Sequence, residues 1–116
     1  MITAHIHTTP YQHTLYVSAG ADLLFSFYMF DDVAATVPKD LEGAEFEFVV
    51  YDALGEGFLL LTEVDGIVVT DNLVSAVIAN ADFDGLVWGC SYDYRMTWTD
   101  PTDTIQALFS GKIYLT

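Results

Sequence analysis

The chain has 116 residues, of which 53% are hydrophobic, so it is long enough for one domain with one core and too short for two. Seventeen acidic residues against three basic ones give a formal net charge of -14. This charge would repel phosphate backbones and anionic lipid, which disfavours nucleic-acid and membrane partners. Because Cys90 is the only cysteine, a disulfide within the chain and a zinc site built from cysteines are excluded.

The first segment, residues 1–15, is predicted to be an N-terminal arm that precedes a single β-sandwich domain over residues 16–116. It lacks a basic stretch followed by an apolar run, so we expect a protein that is used without Sec-type secretion. On a β-strand its His5 and His7 would point the same way, which suits a transition metal if further ligands converge, as they could around a three-fold axis. The alternative is a polar arm that happens to contain histidines. No cofactor is expected, and the chain should fold without a metal.

Short segments with an apolar residue at every second position follow the arm, and glycine, proline, aspartate and asparagine separate them. This pattern predicts an all-β protein, an immunoglobulin-like antiparallel β-sandwich of about seven to nine strands. We predict strands at 13–18, 22–30, 44–52, 57–63, 66–70, 73–79, 89–99, 104–110 and 111–116.

The predicted strand at 22–30 is apolar on both sides. One side carries Leu24, Ser26, Tyr28 and Phe30. The other side carries Phe25, Phe27 and Met29, and a sandwich strand has only one inner face to bury. We therefore predict that Phe25, Phe27 and Met29 form part of an interface in a symmetric homo-oligomer, of which a trimer is one form. Cover by residues 1–18, folded back over the strand, is the alternative.

The predicted strand at 89–99 places Tyr92, Tyr94, Met96 and Trp98 on one side and polar residues on the other. We expect these four side chains to point into the core rather than to form a ligand-binding strip. Cys90 continues the same alternation and is predicted to be a small buried group. The acidic turn before this strand and the tyrosine at its start resemble the tyrosine corner of immunoglobulin-like sandwiches, in which the hydroxyl bonds backbone.

Catalytic motifs are absent from the sequence. All three histidines lie within the first thirteen residues, and there is no G-x-S-x-G elbow or phosphate-binding glycine loop. The acidic turns at 31–32, 82–84 and 100–103 could supply calcium ligands, but they lack the EF-hand spacing and are better explained as solvated turns. An enzyme is not predicted.

Three stretches together resemble a known family: PKDLEGAEFEFVVYD at 38–52, LVWGCSYDYRMTWTDP at 86–101, and LFSGKIYLT at 108–116. They are similar to the N-terminal β-sandwich domain of baseplate upper proteins of tailed bacteriophages and of related small phage virion proteins. The likeness covers residues 16–116. In this chain Gly89 precedes Tyr92 by one position more than the family pattern, which indicates a bulge or an altered turn.

The resemblance implies a non-enzymatic structural protein of the virion, made in the host cytoplasm. It would be a tail or baseplate component, or a capsid decoration protein, and it would work by docking to other virion proteins. From the residues themselves, the alternative is a carbohydrate-binding β-sandwich module that uses exposed aromatic side chains such as Trp88 or Tyr51. The direction in which the aromatic side chains point discriminates between the two.

Overall fold

The computed structural model describes residues 2–5, 11–30, 37–99 and 102–116. These ranges form ten β-strands and one short 3₁₀ helix. In chain order the elements are β1 (Ile2–His5), β2 (Tyr11–Gln12), β3 (Leu15–Val17), β4 (Leu23–Phe30), β5 (Glu45–Tyr51), β6 (Gly57–Thr62), β7 (Ile67–Thr70), β8 (Leu73–Ile78), the 3₁₀ helix Asn80–Phe83, β9 (Ser91–Thr99) and β10 (Ile105–Leu115). No helix in these ranges has the length and apolar character needed to cross a membrane.

The strands form two sheets, and the predicted all-β sandwich is confirmed. The smaller sheet has the order β1-β4-β8-β7, and the larger has the order β2-β10-β9-β5-β6, with β3 also paired to β10. Most neighbours are antiparallel, as predicted, but β1 runs parallel to β4, and β2 and β3 run parallel to β10. The segment predicted to be an arm therefore contributes β1 and β2, one to each sheet.

Strand β10 is continuous where two strands were predicted, at 104–110 and 111–116. The prediction of a break at Ser110 and Gly111 was wrong because the irregularity is a bulge between Ala107 and Phe109, which leaves the ladder with β9 intact on both sides. After the bulge, Ser110, Lys112 and Tyr114 pair with Arg95, Asp93 and Ser91. The bulge thereby sets which side chains of the two strands lie side by side.

The hairpin between β5 and β6 shows how local residues determine the fold. Glu45 and Glu47 alternate with the buried Phe46 and Phe48, so the sequence itself assigns the two faces of β5. The Asp52 carboxylate accepts hydrogen bonds from the N–H groups of Leu54 (2.9 Å) and Glu56 (3.0 Å), closing the turn.

The core lies between the sheets and is rich in aromatic side chains. Phe25 of β4 meets Phe109 of β10 edge-to-face, with ring centroids 5.2 Å apart, and Phe27 meets Phe46 across the sandwich at 6.4 Å. Tyr92, Tyr94, Met96 and Trp98 are all buried, which confirms the predicted direction of β9. Such ring contacts stabilise the core in addition to the large apolar area that each ring removes from water.

Two tyrosine hydroxyls of β9 form hydrogen bonds with backbone groups outside the strand. The backbone N–H of Val87 donates to the Tyr92 hydroxyl at 2.8 Å, which confirms the predicted tyrosine corner. The buried Tyr94 hydroxyl donates to the carbonyl oxygen of His13, also at 2.8 Å, and so fixes the chain between β2 and β3. The backbone of His13 also lies close to β10 at Gly111. This position needs a glycine, because a Cβ on residue 111 would overlap the His13 carbonyl.

Cys90 is exposed, so the prediction that it is buried was wrong. Gly89 has a φ of +93°, and the regular strand begins only at Ser91. The alternation of β9 therefore does not extend back to Cys90. An altered turn at Gly89 was itself predicted, and its consequence is that the thiol lies outside the core.

Candidate docking surfaces

The side of strand β4 that faces the core is the opposite of the one predicted. Phe25, Phe27 and Met29 are buried in the core, so the prediction that they form an exposed interface was wrong. They pack between the sheets because their partner positions on β8 include the core residues Val74 and Ala76. The outer side of β4 is instead the one that contains Leu24, which is 65% exposed.

The sequence contains one signal for this orientation. Ser26 lies in the middle of the outer side, and its hydroxyl donates to that of Ser75 on β8 at 3.0 Å. A lone serine among large apolar residues is more easily placed on the outside than in the core. Ser26 was therefore the residue that distinguished the two sides of an otherwise apolar strand.

The outer face of the smaller sheet is uncharged over β4, β7 and β8, and we call it the neutral face. Its most exposed apolar residues are Leu24, Val68 (58%) and Val77 (49%). The neutral face consists of Leu24, Ser26, Tyr28, Phe30, Val68, Thr70, Leu73, Ser75 and Val77. Seventeen acidic residues are present in the chain, yet none lies at these positions. An uncharged apolar face of this kind is suited to contact with another protein.

The predicted metal ligands lie next to this face or outside the described residues. His5 ends β1, where its backbone pairs with Phe30 of β4. His7 falls outside the described residues. Among the residues that the structure describes, no three His, Cys, Asp or Glu side chains are grouped so that they could hold a metal. The His5–His7 site stays a prediction.

The aromatic residues considered for glycan binding are mostly not available at the surface. Trp88 is half-buried, packs against the core and meets Phe83 edge-on at 6.3 Å. Tyr92, Tyr94 and Trp98 are buried. Tyr51, at the end of β5, is half-buried and borders a groove on the outer face of the larger sheet.

That outer face carries polar and aromatic side chains from five strands, β2, β3, β5, β9 and β10. Strand register places Val49, Arg95, Ser110 and Gln12 in one row. The next row contains Asp93 and Lys112, and the third contains Ser91, Tyr114 and Tyr16. We call this surface the tyrosine–arginine face; its members are Gln12, Tyr16, Tyr51, Asp93, Arg95, Ser110, Lys112 and Tyr114. The sequence alone does not predict this face, because it depends on which strands are neighbours.

Ion pairing on this face is uneven. The Lys112 ammonium lies 2.7 Å from the Asp93 carboxylate, and this contact raises the pKa of Lys112. Arg95 has no carboxylate partner among the described residues, although Asp93 lies on the same face two positions away. The guanidinium of Arg95 is therefore available to a ligand from outside.

A carboxyl group near the other edge of the larger sheet is perturbed. Glu63 follows β6, and its carboxylate accepts a hydrogen bond from the backbone N–H of Phe46. Partial burial raises the pKa of Glu63, a hydrogen bond from the backbone of Glu63 itself opposes this shift, and the nearby Glu45 and Glu47 raise the pKa further. The raised pKa of Glu63 therefore makes the stability of the protein depend on pH.

Comparisons with known proteins agree with the fold. Residues 9–116 match the family model of the LtfC-like β-sandwich domain. The N-terminal domain of ORF48 of phage TP901-1 is similar in structure, with a TM-score of 0.54 and 10% sequence identity, over 97% of this chain and 95% of that one. A comparison with curated protein sequences finds no match. The predicted resemblance to a phage β-sandwich domain is thus confirmed, and the chain belongs to the LtfC-like β-sandwich domain family.

Proposed function

We propose that this protein is a non-enzymatic structural component of a bacteriophage virion, in the tail or baseplate or as a capsid decoration protein, and that it works by docking to other virion proteins. The observation that carries this proposal is the phage origin of a domain that shares the fold over 97% of the chain. The sequence resemblance to baseplate upper proteins supports the tail and baseplate in particular. The protein would be made in the host cytoplasm and act in the particle.

The neutral face supports assembly of the protein with itself. Two copies that each carry a charge of -14 repel one another, and this repulsion is smallest where neither copy presents a carboxylate. The neutral face meets that condition, and it offers exposed apolar side chains such as Leu24, Val68 and Val77. The occupant that we propose for it is a second copy of this chain in a symmetric homo-oligomer.

The aromatic side chains support docking over the alternative of a carbohydrate-binding module. A glycan platform needs rings whose flat faces are exposed, and Tyr92, Tyr94 and Trp98 are in the core. Trp88 is packed against Phe83. The rings that were expected to discriminate between the two functions are therefore used for folding.

Purified particles of the phage that encodes the chain provide the test. We expect the chain to co-purify through a density gradient at a constant ratio to the major capsid protein and to survive a high-salt wash. Gold-labelled antibody should then mark either the tail end or the capsid surface. A host cytosolic protein of similar size is the control for carry-over. If the chain stays with that control in the lysate fraction, the proposal is wrong.

A further inference from the structure

We infer that the tyrosine–arginine face binds a carboxylate-bearing segment of a partner protein, and that the guanidinium of Arg95 receives the carboxylate. Arg95 is exposed on β9, between Val49 of β5 and Ser110 of β10. It therefore lies in the interior of the larger sheet's outer face rather than at its edge. The ladders on both sides fix the backbone of Arg95 and the face of the sheet from which its side chain projects.

The distribution of basic residues favours Arg95 as the contact. The chain has three basic residues. Lys112 is paired with Asp93, and the Lys39 ammonium lies 5.2 Å from the centre of the Trp98 ring. Arg95 has no carboxylate partner among the described residues, in a chain with seventeen acids. A guanidinium matches a carboxylate through two parallel hydrogen bonds, which a lysine cannot reproduce.

The surface around Arg95 is shaped to receive a chain segment. A groove of about 420 Å³ passes the guanidinium and is bordered by Tyr51, Gln12, Ser110 and the Lys112–Asp93 pair. The Gln12 side-chain amide donates to the Ser110 hydroxyl at 3.0 Å. The groove thus offers a guanidinium that has no carboxylate partner among the described residues, the ring of Tyr51, and several polar groups that can bond a peptide backbone.

The aromatic residues beside the groove favour a protein ligand over a sugar. Tyr16 and Tyr114 stack on each other, with centroids 5.4 Å apart and planes 17° apart. Each ring therefore covers one flat face of the other, which reduces the ring area that is open to a sugar. Tyrosine and arginine are instead enriched among the residues that contribute most of the binding energy in protein interfaces.

This face is distinct from the neutral face, since the two lie on opposite sheets of the sandwich. One domain could therefore contact a second copy through the smaller sheet and an acidic segment through the larger one. Binding at Arg95 can be tested on the isolated protein, so its failure would leave the proposed place in the virion unaffected.

The single arginine of the chain makes the experiment direct, because its side-chain Nε–H group gives one unique NMR signal. The probe is the capped peptide acetyl-Glu-Glu-Glu-amide, titrated into the labelled protein at low ionic strength. We expect the Nε–H signal to move, together with the backbone amides of Tyr51, Ser110 and Lys112. The capped triglutamine peptide, which lacks the carboxylates, should leave these signals in place.

Two variants with the same net charge complete the test. Arg95→Gln should weaken triglutamate binding about tenfold or more, since it removes a charge-assisted contact. Lys39→Gln changes the net charge equally and should alter binding less than about twofold. Equal losses in both variants, equal shifts with triglutamine, or no shift with triglutamate would overturn the inference. Shifts with maltotriose but not with triglutamate would identify a glycan site instead.

Discussion

The hydroxyl of Tyr94 donates a hydrogen bond of 2.8 Å to the carbonyl oxygen of His13, across 81 positions of sequence. His13 itself lies between two strands of two and three residues, which have few ladder hydrogen bonds of their own. This one side-chain bond therefore supports the attachment of residues 11–17 to the larger sheet. Burial of the hydroxyl also raises the pKa of Tyr94.

Tyr94→Phe should lower the free energy of unfolding by about 1–2 kcal/mol, because the His13 carbonyl loses its side-chain donor. Urea titration measures this loss. Tyr16→Phe, at an exposed ring, is the control and should change stability by less than about 0.5 kcal/mol. A loss in the control as large as that in Tyr94→Phe would contradict the role given to the buried hydroxyl.

The same tyrosine predicts a dependence on alkaline pH. The folded state keeps the Tyr94 proton above pH 10.0, the ordinary pKa, whereas the unfolded state releases it. The free energy of unfolding should therefore fall as the pH rises past 10, and it should fall less steeply in Tyr94→Phe. Urea titrations of both proteins between pH 9 and pH 11 give the two slopes, and parallel slopes would count against the buried neutral hydroxyl.

Glu63→Gln should reduce the pH dependence of stability in the acid range. The folded protein binds the Glu63 proton more tightly than the unfolded chain, whose pKa is near 4.5. Stability from this group is therefore full below pH 4.5 and is lost as the pH rises through the raised pKa. The variant keeps an oxygen for the Phe46 N–H and has no proton to lose. Thermal unfolding from pH 4 to pH 7 should show a smaller decline in the variant, and Glu56→Gln is the exposed control.

Gly111→Ala should destabilise the fold strongly. Its φ of +151° is costly for any other residue, and the new Cβ would overlap the His13 carbonyl, which is backbone and cannot rotate away. Gly43 has a φ of +77° and open space around it. Gly43→Ala should therefore lower the free energy of unfolding through backbone strain alone, by about 1–2 kcal/mol. Urea titration should show a larger loss for Gly111→Ala. Equal losses would mean that the overlap with His13 has no effect.

Two substitutions on opposite faces of β4 separate assembly from folding. Phe27→Asp places a charge in the core and should unfold the domain, since even Phe→Ala costs about 3–5 kcal/mol. Leu24→Asp should leave the monomer folded and lower the mass measured by light scattering. Val64→Asp, at an apolar residue that is 96% exposed in a turn, is the matched control and should keep the oligomer. A wild-type protein that is monomeric at high concentration would rule out the neutral face as a self-contact.

How far the sequence predicted the fold depended on the contrast between the two sides of each strand. In β5 glutamates alternate with phenylalanines, so the sequence predicts both the strand and the side of it that faces the core. In β4 both sides are apolar, so the strand was predicted correctly but the wrong side was assigned to the core. Ser26 was the only residue that indicated the correct side. At Cys90 the alternation was extended across Gly89, where a positive φ breaks it.

The surfaces were harder to predict than the strands. Arg95 and Lys112 are seventeen positions apart, and they share a face only because β9 and β10 pair with a bulge between Ala107 and Phe109. Patterns of apolar residues do not report a bulge, nor do they show which strands become neighbours. The parallel pairing of β2 and β3 with β10 joins segments almost a chain length apart, and no local signal announces it.

This parallel pairing also orders the events of folding. Thr116 donates its backbone N–H to the carbonyl oxygen of Val17 at 2.8 Å, and its hydroxyl reaches the same oxygen across 99 positions. A ribosome releases residues 11–17 long before β10 exists, so the segment that is made early is placed late. Its template is the finished larger sheet, and closing so large a loop slows folding. Strands β2 and β3 can therefore take their places in the sheet only after β10 has been made.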